Sequence, residues 1–353
     1  MTAKRKATKK VPAKRKVKAK TAATKKTAIR RGKPTVVVTR KWPEAVEKEL
    51  KRHFDVRLNK SDKPMSVAQL QRALRTADAL LPTVTDKISD EVLSVSGKQA
   101  RIIGNFGVGY NNIDIAAAKR EGLAVTNTPE VLTDCTADIA MTLMLSVARR
   151  GGEGERHVRN KKWTGWRPTH MMGAKVTGKT LGLIGFGRIA QAMAHKAHHG
   201  FGMKIVFFDP YLADKSSAKA VKAVSRSSVD AVLKEADFVS LHCPSTPETR
   251  RLINTTKLKK MKKSAFLINT ARGDVVDEKA LVKALKSGAI AGAGLDVFEA
   301  EPTVTAALLK MENAVLFPHL GSATLETREA MGFRVVDNIK AFFKGRRPKD
   351  RVA

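Results

Sequence analysis

Leu181-Gly182-Leu183-Ile184-Gly185-Phe186-Gly187-Arg188-Ile189-Ala190, then a helix-period segment, then Ile205-Val206-Phe207-Phe208-Asp209, is the stretch that decides the fold. An apolar run that ends in two glycines one residue apart reads as a buried strand turning sharply into a helix. Gly185 permits the turn, and Gly187 lets the backbone approach a pyrophosphate held at the positive end of the helix. Ala190 stands where a third glycine is frequent and is small enough for close helix–sheet packing. Asp209 closes the next strand, placed to accept from a ribose 2′-hydroxyl and to repel a 2′-phosphate. The expected cofactor is therefore NAD (NADH), with NADP disfavoured by Asp209. A glycine turn alone often serves packing only. Strand, turn, helix, strand and terminal acid in that order make the dinucleotide assignment specific.

The same alternation extends both ways. Downstream, Phe238–Leu241, Ala265–Asn269, Ala291–Leu295 and Ala314–Phe317 read as further strands, and Thr327–Lys344 as a closing helix. Upstream, Thr35–Thr39, Ala79–Leu81, Arg101–Gly104 and Leu123–Thr126 alternate with helical segments at Ser66–Thr76, Ser89–Ser96 and Ile113–Arg120. A long helix over Val131–Arg150, with Pro129 just before it and Gly151-Gly152 ending it, joins the two blocks. The fold class is α/β, with two parallel-sheet units covered by helices on both faces.

The chain has 353 residues, with 67 Lys and Arg against 33 Asp and Glu. Residues 1–33 hold 15 of those bases and no acid, so the body is itself basic, at +19. The tail has almost no large apolar side chain and repels itself, which predicts disorder. A body of 320 residues, in a chain 42% hydrophobic, can bury a sizeable core. A small disulfide scaffold and a fibrous repeat are excluded. Cys135 and Cys243 lie in apolar surroundings and read as buried thiols of a reducing compartment, so the cytoplasm is expected. No apolar run reaches the roughly 20 residues that cross a bilayer, and the N-terminus carries no secretory h-region.

Three later segments carry chemistry: Asn269-Thr270-Ala271-Arg272-Gly273-Asp274-Val275-Val276-Asp277, Leu295-Asp296-Val297-Phe298-Glu299-Ala300-Glu301-Pro302 and Pro318-His319-Leu320-Gly321-Ser322-Ala323-Thr324. Arg272, Glu301 and His319 follow or lie near the carboxyl ends of strands, the edge where open α/β sheets bind ligands. Reducing a 2-keto acid needs a cation for the carboxylate and the polarised carbonyl, which suits Arg. It also needs an acid near neutral pH to protonate the developing alkoxide, which suits His. A carboxylate beside the imidazole keeps it protonated and oriented.

From about Thr35 onward the chain resembles the D-isomer-specific 2-hydroxyacid dehydrogenases, especially the glyoxylate/hydroxypyruvate reductases. The resemblance implies Arg272 as substrate anchor, Glu301 as partner carboxylate and His319 as proton donor. It implies cofactor contacts at Gly185, Gly187, Arg188, Ile189, Asp209, Thr270, Ala271, Asp296 and Gly321. Asn105-Phe106-Gly107-Val108-Gly109-Tyr110-Asn111 resembles the loop whose amides, at Val108 and Gly109, hold the substrate carboxylate. Trp163-Thr164-Gly165-Trp166 matches the reductase subgroup, in which the second tryptophan, Trp166, reaches the neighbouring subunit's site. A small 2-keto or 2-hydroxy acid substrate and a homodimer are thus implied. So is a division into a basic tail (1–33), a flavodoxin-like substrate domain (34–130 and 325–353) and an NAD-binding domain (131–324). Val108 stands where phosphite dehydrogenases carry lysine, which counts against that activity.

Other features read more plainly. His195, His198 and His199 share a helix face without an accompanying acid, so no metal site is expected and a solvated face is. Met171-Met172 and the pair Met141/Met144 read as packing, as do Trp163 and Trp166 apart from the resemblance. The tail is suited to nonspecific contact with nucleic acid or another polyanion and lacks aromatics to stack on bases. From that tail comes the rival function, a dinucleotide-sensing, corepressor-like binding protein on the same fold.

Overall fold

The computed structural model describes residue 2, residues 32–212 and residues 216–353. The expectation of a disordered tail falls, but for residues 2, 32 and 33, outside them. The first sheet comprises β1 (Thr35–Val38), β2 (Asp55–Leu58), β3 (Ala79–Leu81), β4 (Ile102–Gly104) and β5 (Ala124–Thr126), ordered β2-β1-β3-β4-β5. The pairings between these five strands are parallel. Its helices are α1 (Glu44–His53), α2 (Val67–Thr76), α3 (Asp90–Leu93) and α4 (Ile115–Arg120). That strand order is the flavodoxin-like one. Next come α5 (Thr133–Ala148) and α6 (Gly151–Arg159).

The second sheet contains β6 (Thr180–Ile184), β7 (Lys204–Phe208), β8 (Val224–Ser225), β9 (Phe238–Leu241), β10 (Phe266–Asn269), β11 (Gly292–Leu295) and β12 (Ala314–Leu316). Its order is β12-β11-β10-β9-β6-β7-β8, again parallel throughout. Its helices are α7 (Arg188–Phe201), α8 (Ser216–Ala220), α9 (Val229–Glu235), α10 (Thr255–Leu258) and α11 (Glu278–Lys286); α12 (Leu325–Phe343) closes the chain. The winding direction reverses between β6 and β9, the switch point at which such sheets open a crevice. β9, β10 and β11 are buried along their whole length, as parallel strands covered on both faces must be.

Local chemistry explains the elements. Ser66 caps α2 in a reciprocal box with Gln69, and Asp114, Ser228, Asp277 and Thr324 cap α4, α9, α11 and α12. α12 packs back on the first sheet, its Val335 and Ile339 joining Val36, Val38 and Ile102 in one core. Gly104 makes this approach possible, since a Cβ there would lie 2.7 Å from Val335.

The structure corrects several expectations. α5 stops at Ala148, and Gly151-Gly152 opens a new helix instead of only ending the old one. Arg150 breaks the two apart at φ +54°, and its guanidinium grips Glu153 in the first turn of α6 at 2.6 and 2.7 Å. Cys135 and Cys243 are free thiols but only half-buried. Met141 and Met144 are core residues and Met171 is half-buried, whereas Met172 is 68% exposed, so the packing assignment fails at Met172. Trp163 and Trp166, 56% and 81% exposed, do not pack in this chain. Among the described residues no helix is long and apolar enough to cross a membrane.

Candidate active site

Parallel strands deliver the ends of β6, β7, β9, β10, β11 and β12 to one edge. At the first of these Gly185 takes φ +85°, and a Cβ there would come within 2.9 Å of the backbone at His242 and Cys243. Only glycine meets both demands. α7 begins at Arg188 with Gly187 as its cap and no side chain on its free amides, so the first turn, with Arg188 and Ile189, is open to an anion. Asp209 stands just past β7. Its carboxylate accepts from the Phe186 amide at 2.7 Å and the Tyr211 amide at 2.8 Å, which pins the glycine turn.

Beyond β10, Thr270 Oγ1 and Asp274 Oδ1 are buried without a hydrogen-bond partner, and buried polar atoms rarely stay so. An open helix N-terminus, a carboxylate at the neighbouring strand end and two orphaned oxygens fit a nicotinamide dinucleotide. Ala271 is held by its amide on Asn269 Oδ1 at 3.0 Å.

Arg272 follows. The next residue, Gly273, lies so close to Phe298 that a Cβ would fall 1.9 Å from its carbonyl carbon. The loops after β10 and β11 are thereby in backbone contact, which brings Arg272 and Glu301 together. Burial pushes the Arg272 pKa down, partly offset by the charges of Glu301 and Asp274. Its Nη1 donates to Ala271 O at 2.6 Å and its Nε to Asn111 Oδ1 at 3.0 Å. A Cβ on Gly109 would sit 1.6 Å from Nη2, so the loop after β4 lies directly on the guanidinium. No carboxylate forms an ion pair with Arg272 among the described residues, and the amides of Val108 and Gly109 have no acceptor there. A half-buried cation without an ion-pair partner among the described residues, beside two free amides, is a site for a small anion.

His319 adopts φ +57°, uncommon for any residue but glycine. Asp296 enforces it: its backbone carbonyl accepts from the His319 amide at 2.9 Å, and its carboxylate from the Leu320 and Gly321 amides at 2.6 and 2.8 Å. Asp296, expected as a cofactor contact, is seen here buttressing the histidine loop. Burial raises its pKa despite those amides. Thr136 of α5 donates to Gly321 O at 2.8 Å from the other side. The His319 Nδ1 lies 2.8 Å from Glu301 Oε2, while Glu301 Oε1 accepts from the Phe298 amide at 3.0 Å. Burial alone would raise the Glu301 pKa. The His319 hydrogen bond and charge, the Phe298 amide and the Arg272 charge outweigh it and hold the carboxyl below its usual range.

Sequence reasoning does not reach Asn111, Thr136 or the Gly273–Phe298 contact. Asn111 lies within a matched motif but has no task there, and the other two carry no sequence signal because their partners are remote. Elsewhere, His195 and His199 are exposed while the half-buried His198 Nδ1 lies 3.0 Å from Met203 O. Among the described residues no group of three or more His, Cys, Asp or Glu is placed to hold a metal ion.

Comparison with known proteins agrees with this geometry. The profile of the D-isomer specific 2-hydroxyacid dehydrogenase, NAD binding domain, family matches residues 141–321. A glyoxylate reductase of Thermococcus litoralis is 47% identical over 324 residues, 91% of this chain and 97% of that protein. Among solved structures, a Thermus thermophilus protein aligns with TM-score 0.83 and 41% identity over 90% of this chain and all of its own. The NADPH-dependent glyoxylate/hydroxypyruvate reductase of Sinorhizobium meliloti, in complex with NADP and malonate, aligns with TM-score 0.81 and 33% identity over 91% and 97% of the two chains.

Proposed function

The chain belongs to the D-isomer-specific 2-hydroxyacid dehydrogenase family, an oxidoreductase acting on a CH–OH group, and from that premise we propose that it uses NADH to reduce glyoxylate or hydroxypyruvate. The observation that carries the substrate class is the unpaired Arg272 guanidinium against Gly109 and the two free amides. Arg272 and the Val108 and Gly109 amides hold the carboxylate, and Arg272 polarises the neighbouring carbonyl. When bound, the dinucleotide supplies hydride to the carbonyl carbon. Glu301 holds Nδ1 of His319, so Nε2 is the nitrogen left to give its proton to the carbonyl oxygen. The enzyme reading is favoured over the corepressor-like alternative by glyoxylate reductase relatives at about this identity over most of the chain.

For the cofactor we favour NAD over NADP because Asp209, fixed by two amides, keeps its remaining lone pairs for ribose hydroxyls and its charge against a 2′-phosphate. Asp209→Ala should raise KM for NADH by about 10- to 100-fold and shift the NADPH/NADH ratio of kcat/KM toward NADPH. Loss of the turn's anchor affects both cofactors alike, so the ratio isolates the charge. An unchanged ratio would refute the selectivity assignment.

Trp163, Trp166, Val158 and Met172, on and after α6, are exposed apolar side chains that a second copy would cover. On this reading the protein is a homodimer, with Trp166 completing the partner's site. The free thiols Cys135 and Cys243 support a reducing compartment, the cytoplasm. Residues 1–33 are proposed to hold nucleic acid without sequence preference. An electrophoretic shift of random duplex DNA should appear at low salt, weaken by orders of magnitude between about 50 and 200 mM salt, and vanish on deleting residues 2–33. A shift that survives the deletion assigns the contact to the body instead.

A further inference from the structure

Two adjacent asparagines on the loop after β4 behave differently. Asn112 is half-buried and spends its amide within its own lobe, on Thr83 O at 3.1 Å, Asp86 O at 3.2 Å and Asn105 Oδ1 at 3.3 Å. Asn111 is exposed and, among the described residues, its side chain makes one hydrogen bond, accepting from Arg272 Nε at 3.0 Å across 161 positions of sequence. That bond runs from the loop of the first sheet to the residue following β10 of the second.

The choice of nitrogen matters. With Nε given to Asn111 and one Nη1 hydrogen to Ala271 O, what remains is Nη2 and the second Nη1 hydrogen. Nη2 is the atom against Gly109, on the loop with the free amides. A guanidinium on an arginine stem has several rotamers, and a bond to Nε fixes the plane of the fork. The acceptor's neutrality matters as well. An aspartate here would orient Arg272 equally but would pair with it in advance and compete with an anionic substrate. Asparagine orients the cation and leaves its charge unspent.

We infer that Asn111 is a positioning residue that aims Arg272 at the substrate carboxylate across the cleft without neutralising it. This rests on the keto-acid function proposed above. Asn111→Leu keeps the size and removes the acceptor, and it should lower kcat/KM for glyoxylate by about 10- to 100-fold, with kcat falling and KM rising. Asn111→Asp should hold kcat within about threefold, since orientation survives, while KM rises about tenfold from the lost positive field. The affinity for NADH and the thermal midpoint should stay unchanged in both. Titration of the enzyme–NADH complex with oxamate, an isosteric keto-acid analogue, should show weakened binding in both variants. An Asn111→Leu enzyme within about twofold of wild type in kcat, KM and oxamate affinity overturns the inference. So does one that loses NADH affinity and thermal stability in proportion, which would mark a merely structural residue. Wild-type enzyme that turns over neither glyoxylate nor hydroxypyruvate counts against the proposed function, and the oxamate titration still reads the effect of Asn111.

Discussion

Replacing Arg272 with alanine lowers kcat/KM for the keto acid by about three orders of magnitude, while NADH binding and thermal stability stay close to wild type. The size follows from removing a half-buried cation whose expected partner is the substrate carboxylate, which would then sit in the site without a counter-charge, a loss of about 3–5 kcal/mol. Stability is spared because, among the described residues, Arg272 holds no ion pair and its side chain bonds Ala271 O and Asn111 alone. Arg272→Lys restores little, since an ammonium cannot reproduce the planar fork. Full activity in the alanine variant removes the basis for the anion site, whatever the rest of the fold does.

The second large effect falls on His319. His319→Ala should cut kcat by about 10²- to 10⁴-fold, the usual worth of a positioned general acid, with KM for the keto acid little changed. The pH dependence separates its role from that of its partner. Glu301 is held below its ordinary carboxylate range, its burial outweighed by the His319 hydrogen bond and charge, so it is already ionised near neutral pH and adds no limb to the profile there. A fall of reductive rate with rising pH therefore reports the proton donor and not Glu301. The reverse oxidation, which needs the unprotonated base, rises over the same range. The alanine variant should flatten both limbs. A profile that keeps its shape in His319→Ala assigns the proton to another group.

How much of this was legible in the sequence depends on the range of the interaction. The glycine turn, its strand and Asp209 form one contiguous unit, so their reading survives into the structure, as does the run of buried parallel strands. β2 escaped because it lies at the sheet edge with Asp55 and Arg57 in an alternating exposed pattern, which leaves no apolar run. α6 escaped because a left-handed Arg150, invisible to propensity, restarts a helix at glycines that usually end one. The motifs around Arg272, Glu301 and His319 named their residues, but not what holds them. Asp296 folding the His319 loop, Gly273 admitting the Phe298 backbone and Asn111 meeting Arg272 are contacts between distant segments. No local pattern encodes them.

The most direct test is steady-state oxidation of NADH by the purified full-length protein with glyoxylate, and with hydroxypyruvate followed by chiral analysis of the product. Saturable consumption of NADH, with hydroxypyruvate converted to D-glycerate and the rate abolished by Arg272→Ala, is the expected result. NADH that binds without turnover on any 2-keto acid would contradict it and leave a dinucleotide-sensing protein on a dehydrogenase fold.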